Sequence, residues 1–204
     1  MRKIIILLLS ISTLNLKSQD IVFESDFDKS DIQDAFTLLG VSNFKYKMPV
    51  EFKGYYFDLT VKEYYDGKEV NVVSHTKKLE SMRKVLQWKS ETEEYTLKLQ
   101  SIKFNDSIET YNVKMPRISL RGKQLKLRYP RNEYGWETLI DEKTKLSAEI
   151  EMPILTYATE PSNEERPNVA VYCELAEDRN VYKEWYSKYK IKHYFVFLIT
   201  VSKK

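Results

Sequence analysis

From Val41 onward the chain alternates apolar and polar residues with a period of two, and turn-forming residues interrupt the alternation again and again. Successive side chains of a strand point to opposite faces, so this pattern marks strands with one face in a core and the other in water. Over residues 55–65, Tyr55, Phe57, Leu59 and Val61 share one face, while Asp58, Thr60 and Lys62 share the other. Asp66-Gly67 follows, then a valine-rich run over 69–74, and two such runs around Asp-Gly predict a β-hairpin. Tyr95, Leu97 and Leu99 alternate in the same way, and the slip to Ile102 and Phe104 predicts a bulge or a change of register. Asn105-Asp106-Ser107 reads as a turn into a strand over 108–113. Apolar runs over 118–120 and 125–127 flank Arg121-Gly122-Lys123 and predict a second hairpin.

Further strands are expected over 136–140 and 146–152, joined by a polar turn over 141–144, with 154–157 extending the sheet beyond Pro153. Residues 169–175 read as a core strand that carries Cys173 in phase with Val169, Val171 and Leu175. The run over 193–201 is the most apolar of all, which predicts a central strand. Helix signals are sparser. Ser30 and Gln33 form a capping pair ahead of Ile32, Ala35, Phe36 and Leu39 at helical spacing, and Gly40 closes a helix over 31–39. Residues 77–88 fit either a helical turn or the start of a strand, and 180–190 either a short helix or an aromatic loop. Residues 160–168, with two prolines and four charges, read as a surface loop. The expected fold is mainly β: an antiparallel β-sandwich or open barrel of about nine to eleven strands with one or two short helices.

The N-terminus carries a different message. Met1-Arg2-Lys3 is cationic, Ile4 to Leu9 is apolar, and mixed sequence then leads to Ser18. This is the layout of a secretory signal peptide over residues 1–18, cleaved near Ser18, ahead of one β-rich domain over 19–204. A membrane span needs about 20 apolar residues, and Ser10, Ser12, Thr13, Asn15 and Lys17 interrupt this run well before that. An exported protein, periplasmic or extracellular, is expected. No cysteine stands near the cut, so the lipoprotein route is excluded. The formal charge of +3, from 33 basic and 30 acidic residues, belongs to the leader: Arg2, Lys3 and Lys17 account for all of it. Without a net positive field the remaining chain is not expected to bind nucleic acid.

The sequence offers little catalytic chemistry. One cysteine excludes an internal disulfide, and with two histidines, His75 and His193, it is too few for a structural zinc site. Asp26, Asp28, Asp31 and Asp34 lack the spacing of a calcium loop and suit the start of a helix. No glycine loop opens a helix for phosphate, and no nucleophile-elbow sequence is present. No cofactor or metal is expected. Glu63 and Asp58 read as solvated or paired acids of the sheet surface. A binding role is expected to use aromatic loops: Tyr134 and Trp136 in a turn-rich segment, with Tyr182, Trp185 and Tyr186 second. Flat rings stack on sugars or anchor protein partners. Ser107, in Asp106-Ser107-Ile108, matches a short O-glycosylation motif used on exported proteins by some gut commensal bacteria.

Leu39-Gly40-Val41, Glu63-Tyr64-Tyr65-Asp66-Gly67-Lys68 and His193-Tyr194-Phe195-Val196 together resemble small exported domain-of-unknown-function proteins of gut commensal bacteria. The resemblance implies an exported β-sandwich and carries no functional residues. The expected function is a non-catalytic binding module for a protein partner or a surface polysaccharide. The alternatives are a glycan-active enzyme with a carboxylate pair, or an accessory subunit of an envelope complex.

Overall fold

A computed structural model describes residues 35–36, 38–76, 87–88, 95–141, 144–161 and 171–203. Among them nine strands form two antiparallel sheets. β1 (Val41–Lys47), β4 (Thr96–Asn105), β5 (Ile108–Met115) and β6 (Ile118–Lys126) make a four-stranded sheet in the order β1-β4-β5-β6. β2 (Tyr56–Tyr65), β3 (Lys68–Ser74), β7 (Tyr134–Thr138), β8 (Met152–Thr159) and β9 (His193–Ser202) make a five-stranded sheet in the order β3-β2-β9-β8-β7. The sheets are not hydrogen-bonded into a closed barrel. They form a sandwich, and their facing residues make its core.

The alternation explains the packing. Phe57, Leu59 and Val61 of β2, Leu97 and Leu99 of β4, and Tyr111, Val113 and Met115 of β5 all point between the sheets. Phe195, Phe197, Ile199 and Val201 of β9 join them. The opposite face of β9, with Tyr194, Val196 and Leu198, meets a helical layer. That layer holds α1 (Val171–Glu177), a 3-10 segment (Arg179–Glu184) and α2 (Trp185–Tyr189), and it supplies Leu175, Tyr182, Trp185 and Tyr189 to a second core. β9 is therefore buried on both faces, and a strand in that position must read as a continuous apolar run.

Two local devices match the sequence closely. Asp66 and Gly67 both have positive φ, +46° and +75°, as a two-residue turn between twisted antiparallel strands demands. The β4–β5 pairing shifts register between Lys103 and Asn105, where the phase slip predicted a bulge.

Three expectations need correction. Arg121-Gly122-Lys123 is not a hairpin turn but the middle of β6, and the turn falls at Pro116-Arg117. Gly122 does need its positive φ of +64°, but it spends it on a bulge against β5, its N–H donating to Asn112 Oδ1 at 2.9 Å. Residues 146–151 are irregular, and β8 begins only at Met152. Its Pro153 lies beyond the reach of β7 and beside a register shift, where a missing donor is tolerated. The described part of the expected core strand over 169–175, residues 171–175, belongs instead to α1: Val171 and Leu175 are four apart, which suits one helix face as well as one strand face. Cys173 thus lies on a helix. The open segment over 180–190 resolves as helix, ended by Lys190 at φ +57°. The helix expected over 31–39 lies outside the described residues except for its last turn, where Leu39 N–H donates to Ala35 O at 3.0 Å. The acidic cluster Asp26, Asp28, Asp31 and Asp34, most of 77–88 and most of the loop over 160–168 also lie outside them.

Candidate functional site

β3 and β6 are the open edges of the two sheets on the same side of the sandwich, and a cleft of about 220 Å³ lies between them. Its floor is apolar, from Val61, Leu125 and Phe195, and its polar lining includes Glu63, His75, Tyr111, Lys123 and Lys126. A small apolar concavity with a few converging polar groups is the usual form of a ligand site.

His75 follows the last residue of β3 and is fixed there by its own backbone, whose N–H donates to Leu59 O at 2.9 Å. The neighbouring Thr76 hydroxyl accepts from Leu59 N–H at 3.1 Å. The imidazole is buried, and its Nε2 is hydrogen-bonded to the Tyr111 hydroxyl at 2.6 Å. Burial, with the positive charge of Lys123 beside it, pushes the imidazole down to about 4. Burial also raises the Tyr111 phenol, which stays protonated. The pair is a neutral, directional hydrogen-bonding unit next to two lysines.

Glu63 connects this cleft to a second network. Its Oε1 lies 3.1 Å from His193 Nε2 and accepts from Arg128 Nε at 3.3 Å. His193 Nδ1 is hydrogen-bonded to the Tyr134 hydroxyl, which also accepts from the Arg128 backbone N–H at 3.2 Å. With the Tyr134 O–H donating to Nδ1 and the Nε2–H donating to the Glu63 carboxylate, the groups form one continuous chain of donors and acceptors. The Arg128 guanidinium lies 4.4 Å from the Tyr65 ring centre. Burial raises the Glu63 carboxyl, but His193 and Arg128 together outweigh it and hold the group below the usual carboxylate range. His193 is fully buried with both nitrogens engaged, so it positions Glu63 and does not meet a ligand. The same segment is pinned again by Arg131, whose Nε donates to the buried Glu109 Oε2 at 3.0 Å.

The aromatic residues expected at loop tips are mostly interior. Trp185 is 0% exposed and Tyr182 is buried; both belong to the helical layer, where Trp185 packs on Tyr194 with ring centres 5.4 Å apart. The expectation that they present rings to solvent is corrected, because the outer face of β9 needs exactly such large apolar cover. Trp136 is half-buried and stacks on Tyr157 at 4.5 Å, and Tyr134 stacks on Tyr157 at 5.1 Å. Tyr186 is the most open of the five, yet its ring lies over Gly67 of the β2–β3 turn. The five rings do not share one exposed platform. Ser107 is exposed in the β4–β5 turn, its N–H donating to Asn105 Oδ1 at 2.9 Å, and it lines a surface depression with Arg128, Tyr129 and Arg131.

Sequence reasoning placed Glu63 on the sheet surface as a solvated or paired acid and gave His193 no role, although the signal for a buried network was present. Glu63 has the inward parity of Phe57, Leu59 and Val61, and His193 has that of Phe195 and Phe197. A polar residue on the core parity at the end of a strand marks a buried polar network.

One comparison with known proteins is informative. A family model described as "Domain of unknown function (DUF5041)" matches residues 13–203. The chain belongs to the DUF5041 family. No curated protein and no solved structure matches it. The DUF5041 match spans both sheets and the helical layer together. Among the described residues no helix is long and apolar enough to cross a membrane.

Proposed function

We propose that this chain is an exported, non-catalytic binding module that holds a small acidic group of its ligand in the cleft between β3 and β6. The supporting observation is the cleft lining: Lys123 and Lys126 flank the neutral His75–Tyr111 pair, over an apolar floor. The acid in that lining, Glu63, is already engaged by His193 and Arg128 and leaves the lysines to an incoming anion. A glycosidase would use two carboxylates about 5–9 Å apart across its cleft. Among the described residues this lining contributes one, held in its ionised form, which favours binding over hydrolysis. Export rests on the cationic start, the short apolar run and Ser18. The family resemblance extends the reading to an exported protein of gut commensal bacteria.

The reading is tested by following the His75 ring resonances by NMR while titrating glucuronate, with glucose as the neutral control. Glucuronate shifts the His75 signals saturably, glucose does not, and Lys123→Gln abolishes the response. An unmoved His75, or an equal response to glucose, sinks the proposal.

A further inference from the structure

The outer face of the four-stranded sheet carries a charge pattern that folding alone does not favour. The four strands contain eight basic residues and a single acid, Glu109, which is buried and paired with Arg131. Strand alternation and register decide where the cations point. Lys45 alternates with Phe44 and Tyr46, Lys98 with Leu97 and Leu99, and Lys114 with Val113 and Met115, so all three project away from the core. Lys45 pairs directly with Lys98, and Lys98 directly with Lys114. Three like charges thus cross three adjacent strands in one row, at the ~4.8 Å spacing of a sheet. Like charges directly opposite each other destabilise a sheet. None of the three takes part in an ion pair among the described residues. Beside this row runs a second of neutral amides, Asn43, Gln100 and Asn112, again in direct register. Ile102 and Phe104 lie exposed just beyond.

We infer that this face binds an extended acidic polysaccharide. A row of lysines at strand spacing fits a chain with a carboxylate on successive sugars. The adjoining amides supply donors and acceptors for hydroxyl groups, which a lipid surface does not call for. Exposed Phe104 offers a flat apolar contact for a sugar ring face. The inference builds on the reading of the chain as a binding module but not on the cleft, and it names the ligand class. The face is separate from the cleft lining, so the two can be disabled one at a time.

The test measures binding of the purified protein to polygalacturonate, to neutral dextran and to vesicles containing anionic lipid. Polygalacturonate binds, dextran does not, and affinity falls as salt is raised. The triple variant Lys45→Gln, Lys98→Gln, Lys114→Gln weakens polygalacturonate binding by about tenfold or more, equivalent to ~1.4 kcal/mol. An unfolded triple variant would be recognised by its melting curve, and the single charge reversal Lys98→Glu then replaces it, with loss of binding again expected. No binding of polygalacturonate at low salt, equal binding of dextran, binding confined to vesicles, or variants that bind like the parent would each overturn the inference. Loss of the glucuronate response at His75 with polygalacturonate binding intact would remove the cleft reading alone.

Discussion

The two sheets of this sandwich share a core but live in different surroundings. The five-stranded sheet is covered on both sides of β9, by the inter-sheet core and by the helical layer. Among the described residues the four-stranded sheet is covered on one side, and its other side carries Lys45, Lys98 and Lys114 in direct register. The first arrangement spends its residues on burial, with Phe195, Phe197, Ile199 and Val201 on one face and Tyr194, Val196 and Leu198 on the other. The second tolerates repulsion that a scaffold has no reason to keep. Under the proposed reading the difference divides labour: the five-stranded sheet holds the fold, and the four-stranded sheet, with the cleft at its β6 edge, takes the ligand.

Substitutions on each side of that division sharpen or break it. The largest effect is expected from Phe197→Ala, which removes a fully buried ring from β9. Such a truncation costs about 3–5 kcal/mol, read as a lower urea midpoint. A loss under about 1 kcal/mol would mean that β9 is not the structural centre.

The next is a dependence on pH. His75 is held neutral down to about 4, below its ordinary value of 6.5. Protonation is disfavoured in the folded state, so stability is full above the ordinary histidine range and declines as pH falls from there to about 4. The linkage is at most on the order of 3 kcal/mol. Glu63, also held low, adds a loss of the same sign as pH drops through the carboxylate range. Urea unfolding at a series of pH values shows the slope, and His75→Gln flattens its upper part. A slope unchanged by His75→Gln would place the cause elsewhere.

Gly67→Ala is expected to cost about 1–2 kcal/mol, because an L side chain at φ +75° is strained. Its Cβ would also stand 3.0 Å from Tyr186 Cδ1. Thermal melting reads the loss, and a neutral result would separate the helical layer from the β2–β3 turn.

The smallest effect has the opposite sign. Lys98→Gln relieves repulsion from both Lys45 and Lys114 and is expected to stabilise the protein by a few tenths of a kcal/mol at low salt, with the gain fading as salt rises. Destabilisation instead would show that the lysine row contributes to the fold.

Most strands were legible in the sequence because alternation and burial are the same fact seen twice. The β2–β3 hairpin announced itself through Asp66-Gly67, and the centrality of β9 through its unbroken apolar run. Gly122 was misread because a glycine reports a permissive backbone without saying whether a turn or a bulge uses it. Residues 171–175, within the strand expected over 169–175, were misread because positions four apart lie on one face of a helix and of a strand alike. Trp185 and Tyr182 were placed at the surface for a related reason: they look like surface residues in a polar segment until β9 is known to need cover on its second face.

The sequence by itself determined the β class, the phase of each strand and the inward parity of Glu63, Glu109 and His193, since all of these follow from local period and turn chemistry. Only the tertiary structure decided what those residues meet. Register between strands distant in sequence aligned Lys45, Lys98 and Lys114 into one row, and the packing of the two sheets with their open edges on one side brought Glu63, His75 and Lys123 around one cleft. Contacts of that kind depend on which strands become neighbours, and no local pattern encodes it.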